Sequence, residues 1–208
     1  MPAIRLEARD LSKSYSGPPL FSGLTFETGA GLMAISGRNG SGKTTLLKIL
    51  ASLLRPESGN VRLLDGAREL FGEERRRAVG WAGPDLAFYD DFTARENLRF
   101  FRRAAGLPAL DSDLDRRLSR VGLAAVAGRR VAAFSTGMKQ RLRLAFALLL
   151  DPPVLLLDEP AAGLDDEGRE LFAGVVAERR REGPVLLASN DARDFAAPEQ
   201  VIELGLGR

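Results

Sequence analysis

Apolar and polar positions alternate at Ile4, Leu6 and Ala8 and again at Leu24 and Phe26, with Gly-Pro-Pro at 17–19 and Gly-Ala-Gly at 29–31 between them. That period of two, punctuated by turn residues, predicts short half-buried strands, and residues 4–35 read as an antiparallel β-layer. From Leu32 the pattern changes. The run Leu-Met-Ala-Ile-Ser leads into a glycine-rich stretch, after which Leu46, Leu47, Ile49, Leu50, Leu53 and Leu54 recur at helical spacing as far as Arg55-Pro56. The order predicted is strand, loop, helix. Val154-Leu-Leu-Leu-Asp158 and Val185-Leu-Leu-Ala-Ser189 are apolar without alternation, as expected of strands covered on both faces of a parallel sheet. A helical stretch from Glu167 to Arg181 separates them. Residues 84–134 are helical in pattern and hold Phe88, Tyr89, Phe92, Phe100 and Phe101, which predicts an inserted helical subdomain. The expected fold is α/β: a mostly parallel core sheet, an N-terminal antiparallel β-layer and an inserted α-helical subdomain. Residues 1–208 form one domain, with 1–83 and 135–208 as its core and 84–134 as the insert.

The length of 208 residues fits one large domain, or a core carrying an insert, and leaves no room for two enzymes in tandem. The longest uninterrupted apolar run, Leu144 to Leu150, is far short of the ~18 residues of a bilayer-spanning helix. The N-terminus lacks a basic-then-apolar leader, so neither membrane insertion nor export of the chain is expected. Composition narrows the chemistry further. The chain has no cysteine and no histidine, which removes disulfides, thiolate and imidazole metal sites, and Ser-His-Asp hydrolysis. Proton transfer falls to carboxylates, lysine or water. A formal net charge of +2 carries no cationic field of the kind that holds nucleic acid, and no direct nucleic-acid partner is expected. The runs Arg75–Arg77 and Arg179–Arg181 read as solvated faces.

Gly37-Arg38-Asn39-Gly40-Ser41-Gly42-Lys43-Thr44-Thr45 is a phosphate-binding loop between a strand and a helix. Its glycines let backbone N–H groups converge on phosphate oxygens, and the helix that follows presents its positive end. Gly37, Asn39, Gly40, Ser41, Gly42, Lys43, Thr44 and Thr45 are therefore assigned to a nucleoside triphosphate, with Lys43 on the β- and γ-phosphates and the Thr44 hydroxyl on Mg²⁺. Asp158 and Glu159 end an all-apolar strand where α/β sheets place their ligands. Adjacent strand residues point opposite ways, so the two carboxylates take different roles: Asp158 holds the metal through water and Glu159 polarises an attacking water.

Phe134-Ser135-Thr136-Gly137-Met138-Lys139-Gln140-Arg141 lies between these motifs, with Asp158-Glu-Pro160 and Ala162-Gly-Leu-Asp165 just beyond it. In this order the set resembles the nucleotide-binding subunits of ABC transporters over essentially the whole chain. The resemblance implies a P-loop NTPase with a RecA-like core that binds and hydrolyses ATP with Mg²⁺. It implies a head-to-tail dimer, with itself or with a related ATPase subunit, that powers a separate polytopic membrane permease of the exporter type. The chain would then be cytoplasmic and peripheral on the cytoplasmic face of the membrane. Ser135 and Gly137 match the signature residues that bind the γ-phosphate held by the other protomer, as a helix N-terminus with a small hydroxyl and a glycine can. Tyr15 matches the adenine-stacking aromatic, against a second reading as a core tyrosine. Asp165 matches the loop coupling the protomers, and the aromatic start of the insert would face the permease or pack in the core.

Two positions depart from the family pattern. Pro84 stands where a metal- and water-contacting glutamine is usual, with Asp85 beside it as a substitute. Asn190 stands where a histidine usually contacts the γ-phosphate. Asparagine still donates a hydrogen bond but is shorter and never cationic. These departures motivate a second reading, a regulatory ATP-binding module with slow or no turnover. A third follows from the short length and the segment Pro19–Phe26, which are similar to haem-exporter ATPase subunits of cytochrome c maturation.

Overall fold

In the computed structural model, residues 4–195 and 197–205 are described. Two sheets stand back to back. The first is antiparallel and contains β1 (Ile4–Lys13), β2 (Phe21–Thr28), β4 (Ser58–Asp65) and the short β5 (Arg68–Glu69), in the order β2-β1-β4-β5. The second is parallel throughout and contains β3 (Gly31–Gly37), β6 (Val79–Ala82), β7 (Val154–Asp158), β8 (Pro184–Ala188) and β9 (Gln200–Leu204), in the order β6-β7-β8-β3-β9. The antiparallel layer thus takes its third strand from residues 58–65, which the alternation at the N-terminus gives no sign of. β3 runs directly into the phosphate loop and leaves that layer for the parallel sheet, where it lies between β8 and β9.

The central strands carry apolar residues on both faces because both faces are covered. Leu155 and Leu157 of β7 and Val185 and Leu187 of β8 point into one core, while Val154, Leu156, Leu186 and Ala188 point into the other. The second core is closed by Leu6, Ala8 and Leu11 of β1 and by Leu46, Leu47 and Leu50 of α1 (Lys43–Leu50). Into the first core pack Leu98 of α3 (Ala94–Ala104), Leu114 and Leu118 of α4 (Asp111–Arg120), Leu142 of α5 (Thr136–Ala147) and Phe172 of α6 (Asp166–Arg179). Helices within 84–134 therefore share their core with one face of the parallel sheet. The remaining helix, α2 (Gly72–Arg77), has no buried residue.

Local chemistry fixes where the helices begin. Thr93 and Glu96 form a reciprocal capping box at α3, and Ser135 and Asp165 cap α5 and α6 by accepting from Met138 N and Gly168 N. Asn97, wholly buried, holds the turn before α3: its Nδ2 donates to Tyr89 O and Thr93 O, and its Oδ1 accepts from Tyr89 N. The aromatics of the insert divide in two. Phe88 and Phe101 meet Phe146 edge-on and lie against the core, whereas Tyr89, Phe92 and Phe100 are exposed. In the arginine runs Arg77 pairs with Glu73, Arg179 with Glu182 and Arg180 with Glu199, while Arg75 is not solvated as expected but half-buried, donating to Val61 O at 2.7 Å.

Candidate nucleotide site

The phosphate loop is shaped by two backbone requirements. Gly37 has φ 146°, and a Cβ there would lie 2.2 Å from Leu204 O, so no side chain fits where β3 passes β9. Gly42 has φ 99° as the residue before α1, a left-handed conformation that glycine adopts without penalty. The loop thereby turns its backbone toward Lys43, which is buried at the helix start. Lys43 Nζ donates to Gly37 O at 2.8 Å, to Arg38 O at 3.3 Å and to Asn190 Oδ1 at 2.6 Å. Asn190 in turn donates through Nδ2 to Asn39 Oδ1. Among the described residues the Ser41 hydroxyl, buried beside them, has no hydrogen-bond partner.

At the carboxyl end of β7, Asp158 accepts the Thr44 hydroxyl on Oδ2 at 2.6 Å, while its Oδ1 is buried and accepts no hydrogen bond from the described residues. Burial raises the Asp158 pKa against the opposing Thr44 bond and Lys43 charge. A buried carboxylate oxygen with no donor, next to a threonine hydroxyl, fits a hard divalent cation taking oxygen ligands. Asp85 stands close enough for its charge to bear on Asp158, yet its carboxylate is held by Lys48 Nζ at 2.9 Å. Among the described residues no cluster of three or more acidic, histidine or cysteine side chains is assembled for a metal. The fit rests on Thr44 and Asp158.

Glu159, the next residue, is in the left-handed region at φ 48°, which costs an ordinary side chain about 1 kcal/mol or more and turns its carboxylate away from that of Asp158. Its backbone is clamped on both sides: Glu159 N donates to Ala188 O at 2.8 Å and Glu159 O accepts from Gln140 Nε2 at 3.0 Å. Its carboxylate faces Ser189 Oγ at 3.3 Å and Asn190 N at 3.5 Å, with burial raising its pKa and the Asn190 bond lowering it.

Tyr15, Asn39, Gly40, Ser41, Gly42, Lys43, Thr44, Thr45, Glu159 and Asn190 line a single open cleft of about 430 Å³. Gly37 does not line it: its carbonyl accepts from Lys43 Nζ, and it borders the neighbouring pocket beside Asn39 and Asn190. Tyr15 is 60 % exposed, so its reading as a core tyrosine is wrong, and Lys13 Nζ sits 5.4 Å from its ring centroid. Ser135, Gly137 and Asp165 do not line this cleft. They cap or open α5 and α6, with Ser135 and Asp165 exposed, and Gly137 packs so closely on the following loop that a Cβ would come 2.9 Å from Gly163 O.

Several residues that matter here have no role assigned from the sequence, although Gln140 lies within the segment Phe134–Arg141. Gln140 is buried on α5 and links Glu159 O to Arg143, whose guanidinium donates to Pro84 O and Leu86 O at 3.2 Å each. The strand end bearing Glu159 is thus tied through α5 to the segment around Pro84. A glutamine on the apolar side of a helix was the available signal for Gln140. Ser189 offered none beyond its place before Asn190.

Residues 22–162 match the protein family described as ABC transporter. Over 187 residues the chain is 36 % identical to the cytochrome c biogenesis ATP-binding export protein CcmA of Brucella abortus (strain 2308), spanning 89 % of this chain and 85 % of that protein. It is also 36 % identical over 171 residues to the ABC transporter ATP-binding protein NatA of Bacillus subtilis (strain 168), spanning 80 % and 69 %. Among solved structures, the dimeric post-hydrolysis state of the ATP-binding cassette MJ0796 bound to ADP and Pi superposes with a TM-score of 0.81 at 22 % identity, covering 96 % of this chain and 94 % of that one.

Proposed function

The chain belongs to the ABC transporter family as an ATP-binding subunit, and from that premise we propose that it hydrolyses ATP in a head-to-tail dimer and so drives a separate membrane exporter. The observation that carries this reading is a division of the site. Lys43, Thr44 and Glu159 line one cleft, with Asp158 behind it bonded to the Thr44 hydroxyl, while Ser135 and Gly137 present a helix N-terminus outside it. A second copy laid head to tail would bring its α5 N-terminus to the open side of the first copy's cleft. Two equivalent sites then form across one twofold axis.

In this reading Tyr15 stacks on the adenine and the loop N–H groups hold the phosphates. Lys43 exchanges Asn190 for the β- and γ-phosphate oxygens. Thr44 and Asp158 would hold Mg²⁺, which when bound would neutralise charge on those phosphates. Glu159 takes a proton from the water that attacks the γ-phosphorus, the bond to the bridging oxygen breaks, and ADP and phosphate result. Asn190 offers its amide N–H to the γ-phosphate. Asp165 is placed at the protomer junction, and residues 84–134 serve as a helical subdomain whose exposed Tyr89, Phe92 and Phe100 face the permease. ATP favours the closed dimer over the open one and ADP does not, which is the source of the work. Among the described residues no helix is long and apolar enough to cross a membrane. In this reading the membrane partner is a separate subunit and the chain works from its cytoplasmic face. Similarity to CcmA extends this to the export step of cytochrome c biogenesis, with haem as the cargo class.

A second reading, an ATP switch with slow or no turnover, draws on the Lys43–Asn190 bond and on Pro84. Steady-state hydrolysis measured against protein concentration separates the two. A rate that climbs faster than linearly and disappears in Glu159→Gln supports the dimeric ATPase, whereas binding of ATP with no turnover at any concentration supports the switch.

A further inference from the structure

Among the described residues Glu159 has no cationic partner within ion-pair distance, and its carboxylate is approached only from the end of β8. Ser189, just 1 % exposed, stands between two carboxylates: its Oγ is 3.3 Å from Glu159 Oε2 and 2.6 Å from Asp194 Oδ2, and it accepts from Asp191 N at 3.0 Å. Asp194 is itself enclosed, its side chain 4 % exposed, and Arg169 Nη1 donates to it at 2.8 Å. Arg169 belongs to the first turn of α6, where its N donates to Asp165 O at 2.9 Å. A chain of contacts therefore runs from the loop at Asp165 through Arg169, Asp194 and Ser189 to Glu159.

We propose that Ser189 is a positioning residue for Glu159, and that the Arg169–Asp194 pair decides which carboxylate receives its single hydroxyl proton. This rests on the ATPase reading above and deepens it. One hydroxyl has one proton to give. At the distances observed it goes to Asp194, and Glu159 Oε2 is left to the long contact from Asn190 N. A small movement of α6 that carries Arg169, and the Asp194 bonded to it, away from Ser189 turns the hydroxyl to Glu159, fixes Oε2 and aims the other oxygen into the cleft. A carboxylate held in one orientation meets its water far more often than one free to rotate. Because α6 begins at Asp165, the orientation of Glu159 becomes sensitive to whatever engages that loop.

The test uses the full 208-residue chain at concentrations where the wild type turns over, comparing wild type, Ser189→Ala, Ser189→Thr and Asp194→Asn. Expected are a fall in kcat of about tenfold for Ser189→Ala with KM for ATP within about twofold, and recovery of most of kcat in Ser189→Thr, which keeps the hydroxyl. Asp194→Asn removes the competing charge and supplies an amide N–H to Ser189 Oγ, so its kcat is expected at or above that of the wild type. A merely structural role for the cluster predicts the opposite, loss in Ser189→Ala and Asp194→Asn together with a rise in KM. The inference is overturned if Ser189→Ala keeps full kcat, or if Asp194→Asn falls with it. A wild type that binds ATP and never hydrolyses it overturns the ATPase reading, and this inference with it, whereas an active wild type with an equally active Ser189→Ala overturns this inference alone.

Discussion

Lys43 Nζ donates to Asn190 Oδ1 at 2.6 Å, so Asn190 occupies the lysine to which the proposed function assigns the phosphates. The pairing is between a cation and a neutral amide, worth less than a bond between two charges, and a phosphate oxygen competes for the lysine on favourable terms. On the proposed function, ATP entry is expected to release Asn190 Oδ1 from Lys43, leaving the side chain held only by Asn39 among the described residues and able to turn toward the γ-phosphate. Replacing it by alanine keeps Lys43 available but removes one oriented donor from the transition state. Asn190→Ala is expected to lower kcat by ~10²-fold, in the range of a lost oxyanion donor, with the ATP dissociation constant changed less than about threefold. Single-turnover hydrolysis beside equilibrium nucleotide binding makes that separation. A large loss of binding with kcat intact contradicts it.

Asp158 is a buried carboxylate with one oxygen lacking a donor, and burial raises its pKa. Such a group costs stability until a cation reaches it. Asp158→Asn removes the charge and keeps the shape, so the nucleotide-free protein is expected to melt ~2–4 °C higher while hydrolysis is lost, a trade of stability for function. Differential scanning fluorimetry without nucleotide and with MgATP gives both answers. A lower melting temperature without nucleotide would count against this account of the Thr44–Asp158 pair.

How far the site was legible in the sequence depends on how its residues are joined. The phosphate loop and the Asp158-Glu159 pair are each contiguous, and short-range chemistry is enough to read them: glycines for the turn, an apolar strand for the buried end. The exposed Tyr15 was ambiguous because one aromatic after a strand fits either a core or a base. Gln140 and Arg143 reach Glu159 and Pro84 only because α5 packs along β6 and β7, and nothing local states that contact. Ser189 becomes informative once Asp194 folds back on it. In the fold, β4 went unread because its start is exposed and its apolar residues Val61, Leu63 and Leu64 break alternation, so its place beside β1 is a tertiary fact.

Gln140 is buried, donates to Glu159 O and accepts from Arg143 Nη1 at 2.9 Å. Gln140→Leu keeps the volume and leaves a strained peptide carbonyl and a guanidinium N–H unpaired. The expected cost is ~1–3 kcal/mol of unfolding free energy, read as a lower urea midpoint with an unchanged slope. Gln140→Glu retains the acceptor for Arg143 and is expected to recover part of the loss. An unchanged midpoint in Gln140→Leu would mean that water replaces the glutamine.

Asp151 is at φ 49° after α5 and accepts from Arg117 Nη2 at 2.6 Å and Nη1 at 3.0 Å. The Arg117 hydrogen bond holds its pKa below the usual carboxylate value, and burial opposes the shift. A depressed carboxylate stabilises the fold at every pH above its unfolded pKa, ~3.9, and loses that contribution as the pH falls through the folded pKa. Asp151→Asn tolerates the same backbone and lacks the charge. It is therefore expected to be less stable than the wild type at pH 7, and the gap is expected to close as acidification passes below pH ~4. Denaturation at a series of pH values checks this. A gap that persists at the acid end would assign the effect to packing.

The shared site makes the strongest demand on the dimer. If the cleft of one protomer is completed by α5 of the other, Lys43→Ala disables the site its own loop forms and Ser135→Arg disables the site it completes in its partner. Each variant alone then has both sites dead. Mixed dimers hold one site with both defects and one with neither. Random exchange between equal amounts places half of all chains in mixed dimers with one intact site of two, so recovery of about a quarter of wild-type turnover is expected if the sites act independently. Turnover in the mixture no greater than the sum of the two variants measured apart would show either that Ser135 serves its own protomer or that neither site works without the other. A Lys43→Ala/Ser135→Arg double variant mixed with wild type tells these apart. It carries both defects on one chain, so with a shared site every mixed dimer has each site damaged once, and its turnover falls below that of the wild type kept by itself. With a site contained in one protomer, the wild-type half keeps its full rate.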